Sequence, residues 1–110
     1  MTKRGNFLFV SQNGDEYTVA MTPELQDDIG TVGFLEFMEV DHVNKDDALA
    51  SLEASKTVME IQSPLTGTVV AKNEAAVSEP SLLNSAKAEE NWLVKLTDVD
   101  PEEFSALEEA

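Results

Sequence analysis

Two stretches separated by only two residues constrain the fold most. ALASLEA (48–54) and TVMEI (57–61) both repeat with a period of two, the spacing of a strand that turns one face inward. In the first, Ala48, Ala50, Leu52 and Ala54 share one face, and Leu49, Ser51 and Glu53 the other. With Ser55 and Lys56 between them, the compact connection is a hairpin with a lysine at its tip. That tip carries neither Asn-Gly nor Gly-X, the chemistry a two-residue hairpin prefers, and local rules tend to be broken where function is placed. Lysines ordinarily sit solvated on surfaces. It is the position of Lys56, as the sole basic residue between Lys45 and Lys72, that singles it out.

The rest of the chain reads as more short strands. NFLFV (6–10) and EYTVA (16–20) flank SQNGD, whose Asn-Gly pair tolerates positive φ and predicts an opening hairpin. Thr22 as N-cap, Pro23 in the first turn and Gly30 as the stop predict a short helix over TPELQDDI. TVGFLEF (31–37), GTVVA (67–71) and NWLVKL (91–96) read as strands, SPLTG (63–67) as a turn, and SEPSLLNS as one or two helical turns. Asp100 and Pro101 begin a terminal helix that turns Phe104 and Leu107 inward. Phe7, Phe9, Phe34, Phe37 and Trp92 are expected in the core. The tripeptide GTV at 30–32 and again at 67–69 raises the expectation of two similar half-units around the lysine hairpin. The pattern predicts a mainly β barrel or sandwich with short flanking helices.

A length of 110 residues fits one domain, 1–110. The formal net charge is −15, from 22 acidic and seven basic residues, which disfavours nucleic acid and anionic membranes and suits a partner with a basic face. There is no cysteine, so any thiol chemistry must come from a cofactor. No apolar stretch reaches transmembrane length, and the N-terminal run is too short for a signal peptide, so a cytoplasmic location is the default expectation. His42, the single histidine, lacks the convergent partners of a metal or base site and is expected in a loop. No catalytic constellation and no metal spacing appears, so the chain is expected to be a non-enzyme. An acidic interaction module without a cofactor stands as an alternative.

The block LEASKTVMEIQSPLTGTVVAKNEA (52–75) resembles the H protein of the glycine cleavage system, within the wider biotinyl/lipoyl-domain family. Glu53 lies three residues before the lysine, and a Ser-Pro-x-x-Gly-x-Val run follows it. LLNS (82–85), NWLVKL and DPEEFSAL continue the family order. A biotin carrier would show methionine on both sides of the lysine, where Ser55 and Thr57 stand. The lipoyl domains of oxoacid dehydrogenases usually carry Asp-Lys-Ala.

The resemblance implies a barrel-sandwich hybrid with lipoate held as an amide on Lys56. It implies a lipoate ligase or lipoyl transferase as the modifying partner, and dihydrolipoamide dehydrogenase to reoxidise the arm. In glycine cleavage, a carrier of this family takes an aminomethyl group from glycine decarboxylase to aminomethyltransferase. The family's His-Glu-Trp motif is replaced here by GNFLF (5–9), and its Pro-Tyr-Gly segment by AKAEEN (86–91). These departures resemble the H-like variants, some of which are encoded beside a sirtuin-type ADP-ribosyltransferase and a macrodomain hydrolase. Their role implies lipoate relay or redox and stress signalling, with Asp27, next to Asp28, as the candidate acceptor of ADP-ribose.

Overall fold

A computed structural model describes all of residues 1–110. Ten strands form two antiparallel sheets. In chain order they are β1 (Thr2–Gly5), β2 (Leu8–Asn13), β3 (Glu16–Met21), β4 (Val32–Phe37), β5 (His42–Val43), β6 (Ala48–Ala54), β7 (Val58–Gln62), β8 (Gly67–Lys72), β9 (Trp92–Thr97) and β10 (Glu108–Glu109). Seven strands make one sheet in the order β10-β1-β2-β3-β9-β8-β5, and β4-β6-β7 make the other. Four short helices, α1 (Pro23–Ile29), α2 (Glu74–Ser78), α3 (Ala88–Asn91) and α4 (Pro101–Ser105), and a 3₁₀ turn (Pro80–Asn84) cover the ends. This is the mainly β, sandwich-like architecture with short flanking helices that the strand pattern predicts. No helix is long and apolar enough to cross a membrane.

One apolar cluster joins the two sheets. Leu8, Val10, Val19 and Leu96 enter it from the large sheet, and Leu35, Leu52 and Ile61 from the small one. Its packing depends on bulges. Between Ala48 and Ala50 the β6 register shifts, so Leu49 and Ala50 are both buried, where strict alternation would place them on opposite faces. A second bulge, at Gly33 in β4, sends Val32 and Leu35 inward and turns Phe34 outward.

The expected aromatic core is therefore overturned. Phe7 and Phe34 are exposed, and Phe9, Phe37 and Trp92 are only half-buried. The core is aliphatic, closed at one end by Phe104 edge-on against Tyr17. Phe7 lies outside because it occupies a two-residue hairpin loop with Asn6, both at positive φ (51° and 68°), between β1 and β2. Phe9 and Trp92 lie on the outer side of the large sheet under the cations of Arg4 and Lys95.

Strands β1 and β10, and helices α2 and α3, were not legible in the sequence. β1 begins the sheet before the expected first strand, and β10 pairs with it at the edge. The buried Lys3 ties the two together through the Ser105 and Leu107 carbonyls and Glu109. The next hairpin turns at Gly14 (φ 64°) and Asp15, one residue beyond the expected Asn-Gly centre. The two GTV copies serve different ends. Gly30 sits at positive φ at the end of α1, whereas Gly67 is a strand residue whose missing side chain admits the Thr97 carbonyl.

Candidate functional site

Lys56 stands where the period-two pattern places it, at the exposed tip of the β6–β7 hairpin. Glu53 pairs with Val58, and the Ala54 amide donates to the Thr57 carbonyl (2.9 Å), leaving Ser55 and Lys56 at the turn. Neither tip residue has positive φ. The turn is held from outside instead. The Ser55 amide donates to the Thr31 carbonyl (2.9 Å), the Lys56 amide donates to the Ile29 carbonyl (3.0 Å), and Ser55 Oγ accepts from the Thr31 amide (3.0 Å). The tip is thus bonded to the segment that leaves α1, which removes the need for glycine in the turn.

That segment is itself fixed by the sequence around it. Thr22 Oγ1 accepts from the Leu25 amide (3.2 Å) to cap α1, as expected, and donates to the Phe7 carbonyl (2.8 Å). Leu25 and Ile29 are buried beneath the helix. Gly30 ends it with φ 78° and ψ −152°, a conformation essentially confined to glycine. A Cβ on Gly30 would also collide with Ser55 Oγ. Asn84, at the end of the 3₁₀ turn, grips both sides of this exit: Nδ2 donates to the Gly30 carbonyl (2.8 Å) and Oδ1 accepts from the Val32 amide (2.8 Å). Gln26 Nε2 donates to the Leu83 and Ser85 carbonyls (2.8 Å each) and locks the helix to the same turn.

Sequence reasoning missed Gln26, Gly30, Ser55 and Asn84 as supports of the site. The available signals were the glycine read as the helix stop, a tip without turn chemistry, and a lone amide side chain at the end of a predicted helical turn.

The Lys56 side chain is exposed, but its amine does not project freely. Nζ donates to the Asp27 carbonyl (2.8 Å), the polarity expected of a cation beside a helix C-terminus. The amine rests on α1, held by one hydrogen bond, over a shallow polar cleft between Gln26, Thr31, Ser81 and Asn84. Asp27 is thereby brought against Lys56 by its backbone, and its side chain is exposed, as is that of Asp28. Glu53 is exposed on the outer face of β6. His42 is exposed in the two-residue strand β5, not in a loop, and the acids near it in sequence do not gather with it into a group that could hold a metal. At the other end of α1, the Glu24 carboxyl lies below its ordinary value, held down by its own backbone N–H and by the Arg4 guanidinium at 3.0 Å.

Comparison with known proteins agrees with this architecture. The family model described as "Glycine cleavage H-protein" matches residues 2–110. The "Glycine cleavage system H-like protein" of Staphylococcus aureus (strain Mu50) is 57% identical over 110 residues, covering all of both chains. The "Glycine cleavage system H protein" of Listeria welshimeri is 39% identical over 100 residues, 90% of this chain and 80% of that protein. In shape, the crystal structure of a glycine cleavage system H protein from Mycobacterium marinum superposes with a TM-score of 0.76 at 21% identity, covering 87% of this chain and 81% of that one. From the match along nearly its whole length, together with these relatives, the chain belongs to the glycine cleavage H-protein family.

Proposed function

We propose that this chain is a non-enzymatic carrier bearing lipoate as an amide on Lys56 Nζ, with residues 1–110 acting as one carrier domain. The observation that carries this reading is the anchored tip: an exposed lysine on a turn bonded to the α1 exit by three hydrogen bonds outside its own hairpin. Such a base fixes where the arm starts while leaving its far end free to visit several enzymes. The residues present fit the group. One hydrogen bond holds Nζ, and the cleft beneath it has no apolar side chain to trap the lysine stem.

For attachment, Nζ leaves the Asp27 carbonyl, gives up one proton to become a neutral amine, and forms the amide C–N bond at the lipoyl carboxyl carbon, losing its second proton as the activating group departs from that carbon. A lipoate ligase using ATP, or a lipoyl transferase, supplies that activation. Acylation removes the lysine charge and makes the chain one unit more acidic. Once attached, lipoate supplies the redox and group-transfer chemistry that a chain without cysteine lacks.

Between the two family roles, the H-like one is supported by 57% identity to an H-like protein along the full chain. On this reading the carrier serves lipoate relay or redox and stress signalling. Dihydrolipoamide dehydrogenase reoxidises its arm, and Asp27 accepts ADP-ribose from a sirtuin-type ADP-ribosyltransferase, reversed by a macrodomain hydrolase. The exposed side chain of Asp27, on a residue whose backbone carbonyl accepts from Lys56 Nζ, supports that last assignment. The conventional role, serving glycine decarboxylase and aminomethyltransferase, rests on family membership and on 39% identity to an H protein.

Because the chain has no cysteine, every thiol in the loaded protein belongs to the arm. Thiol titration after reduction by dihydrolipoamide dehydrogenase with NADH as the electron donor should find a pair of thiols per chain, and none in Lys56→Arg. Thiols retained in Lys56→Arg would refute the assignment, and efficient glycine turnover with purified decarboxylase and transferase would favour the conventional role.

A further inference from the structure

We propose that the solvent face of the β4-β6-β7 sheet is where the enzyme that acylates Lys56 docks, and that this partner offers a basic surface around an apolar contact. The inference rests on the reading of Lys56 as the acylated residue. It begins from the strand register. Phe34 lies opposite Glu53, and Glu53 opposite Val58; in the next outward row Glu36 lies opposite Ser51, and Ser51 opposite Glu60. Side chains directly opposite stand about 5 Å apart, so each row spans roughly 10 Å.

The row nearest the tip exposes two large apolar side chains, Phe34 at 46% and Val58 at 70%. Phe34 is there because the Gly33 bulge turns it outward. The Phe34 row keeps a carboxylate between its two apolar residues, and the Glu36 row places one at each end. None of these six positions is basic. Three like charges on one small face repel one another, and no cation within the face offsets them. The nearest lysines stand at its borders: Lys56 at the tip, and Lys72, whose Nζ donates to the Met38 carbonyl beyond β4. A cationic partner supplies the missing countercharge, and an apolar contact from it covers Phe34 and Val58.

Position makes the acylating enzyme the fitting occupant. Glu53 and Val58 are the pair that closes the Lys56 hairpin, so a protein seated on this row lies within roughly 7 Å, two strand residues, of the turn that carries the amine. β7 adds an open edge, since its only strand partner is β6. The opposite flank of the tip, over the polar cleft, offers no apolar residue. Contact area for a partner therefore falls on the sheet side.

The test uses the purified full chain with a purified ATP-dependent lipoate ligase, lipoate and ATP, reading acylation rate by intact mass and ligase affinity by calorimetry at low and high salt. One variant combines Phe34→Ser with Val58→Ser, and a second combines Glu36→Lys with Glu60→Lys. A third, Glu89→Lys with Glu102→Lys, makes the same change in net charge elsewhere. We expect the first two to lose about tenfold or more in kcat/KM and affinity, as loss of a few central contacts does, with the charge variant also losing the salt dependence. The third should stay within about twofold of wild type. Thermal unfolding identifies any variant that fails to fold, and two chemically different variants of one face guard against that outcome. Wild-type rates and affinities in both face variants overturn the docking surface and leave the Lys56 reading standing. No adduct on the wild type overturns the Lys56 reading itself.

Discussion

Replacing Gly30 with alanine tests whether the lysine hairpin is held by the α1 exit. The residue sits at φ 78° and ψ −152°, where an L side chain costs about 1–3 kcal/mol. The new Cβ also meets Ser55 Oγ, so Ser55 must rotate and give up its bond from the Thr31 amide, a further loss of about 1 kcal/mol. The total, about 2–4 kcal/mol, corresponds to a fall in Tm of roughly 8–16 °C for a domain of this size. A double-mutant cycle separates the parts. Ser55→Ala alone loses the same hydrogen bond, about 1 kcal/mol, and leaves room for the new methyl group. The double variant should therefore be no less stable than Gly30→Ala alone, giving a coupling of about 1 kcal/mol by urea unfolding. Full additivity, or a loss below about 0.5 kcal/mol for Gly30→Ala, would refute the argument that this glycine and the hairpin tip share one constraint.

Three further outcomes follow from the same geometry. Lys56→Met should cost only about 0.3–1 kcal/mol by chemical denaturation, because its single exposed bond to a helix-end carbonyl is all that folding loses. A much larger loss would mean that the lysine is kept for stability. Asn84→Ala removes both grips on the α1 exit and should cost about 1–3 kcal/mol, with hydrogen exchange accelerating at Val32, Ser55 and Lys56 before the sheet core. Exchange rising uniformly would contradict that local role. Arg4→Ala should raise the Glu24 carboxyl toward its ordinary value of 4.5, followed by NMR titration. Because the folded value is the lower one, the Glu24 contribution to stability is present above the unfolded value and fades as pH falls through the folded one.

How much of this was legible depended on whether the deciding interaction was local. The α1 boundaries were readable because Thr22, Pro23 and Gly30 each act within one turn of themselves. The lysine hairpin was readable because period-two alternation runs up to it on both sides. Face assignment failed wherever a bulge changed the parity, as at Leu49 and Phe34. Gly33, a glycine inside a strand pattern, was the one warning of the second bulge. Phe7 was misplaced because its burial depends on whether a preceding strand exists, and β1 is a polar, lysine-bearing segment with no apolar alternation to announce it. β10 likewise forms from two glutamates that pair only because Lys3 and β1 are already there. The lysine itself could be found from sequence. What holds it could not, since the bonds from Ser55 and Lys56 to Thr31 and Ile29 bridge more than twenty residues.

The most direct test of the carrier assignment is the intact mass of the purified chain after incubation with a lipoate ligase, lipoate and ATP, followed by peptide sequencing of the product. The account predicts a gain of one lipoyl group, located on Lys56 and absent from Lys56→Arg. An unmodified wild-type chain, or a lipoyl group found on any other lysine, would contradict it.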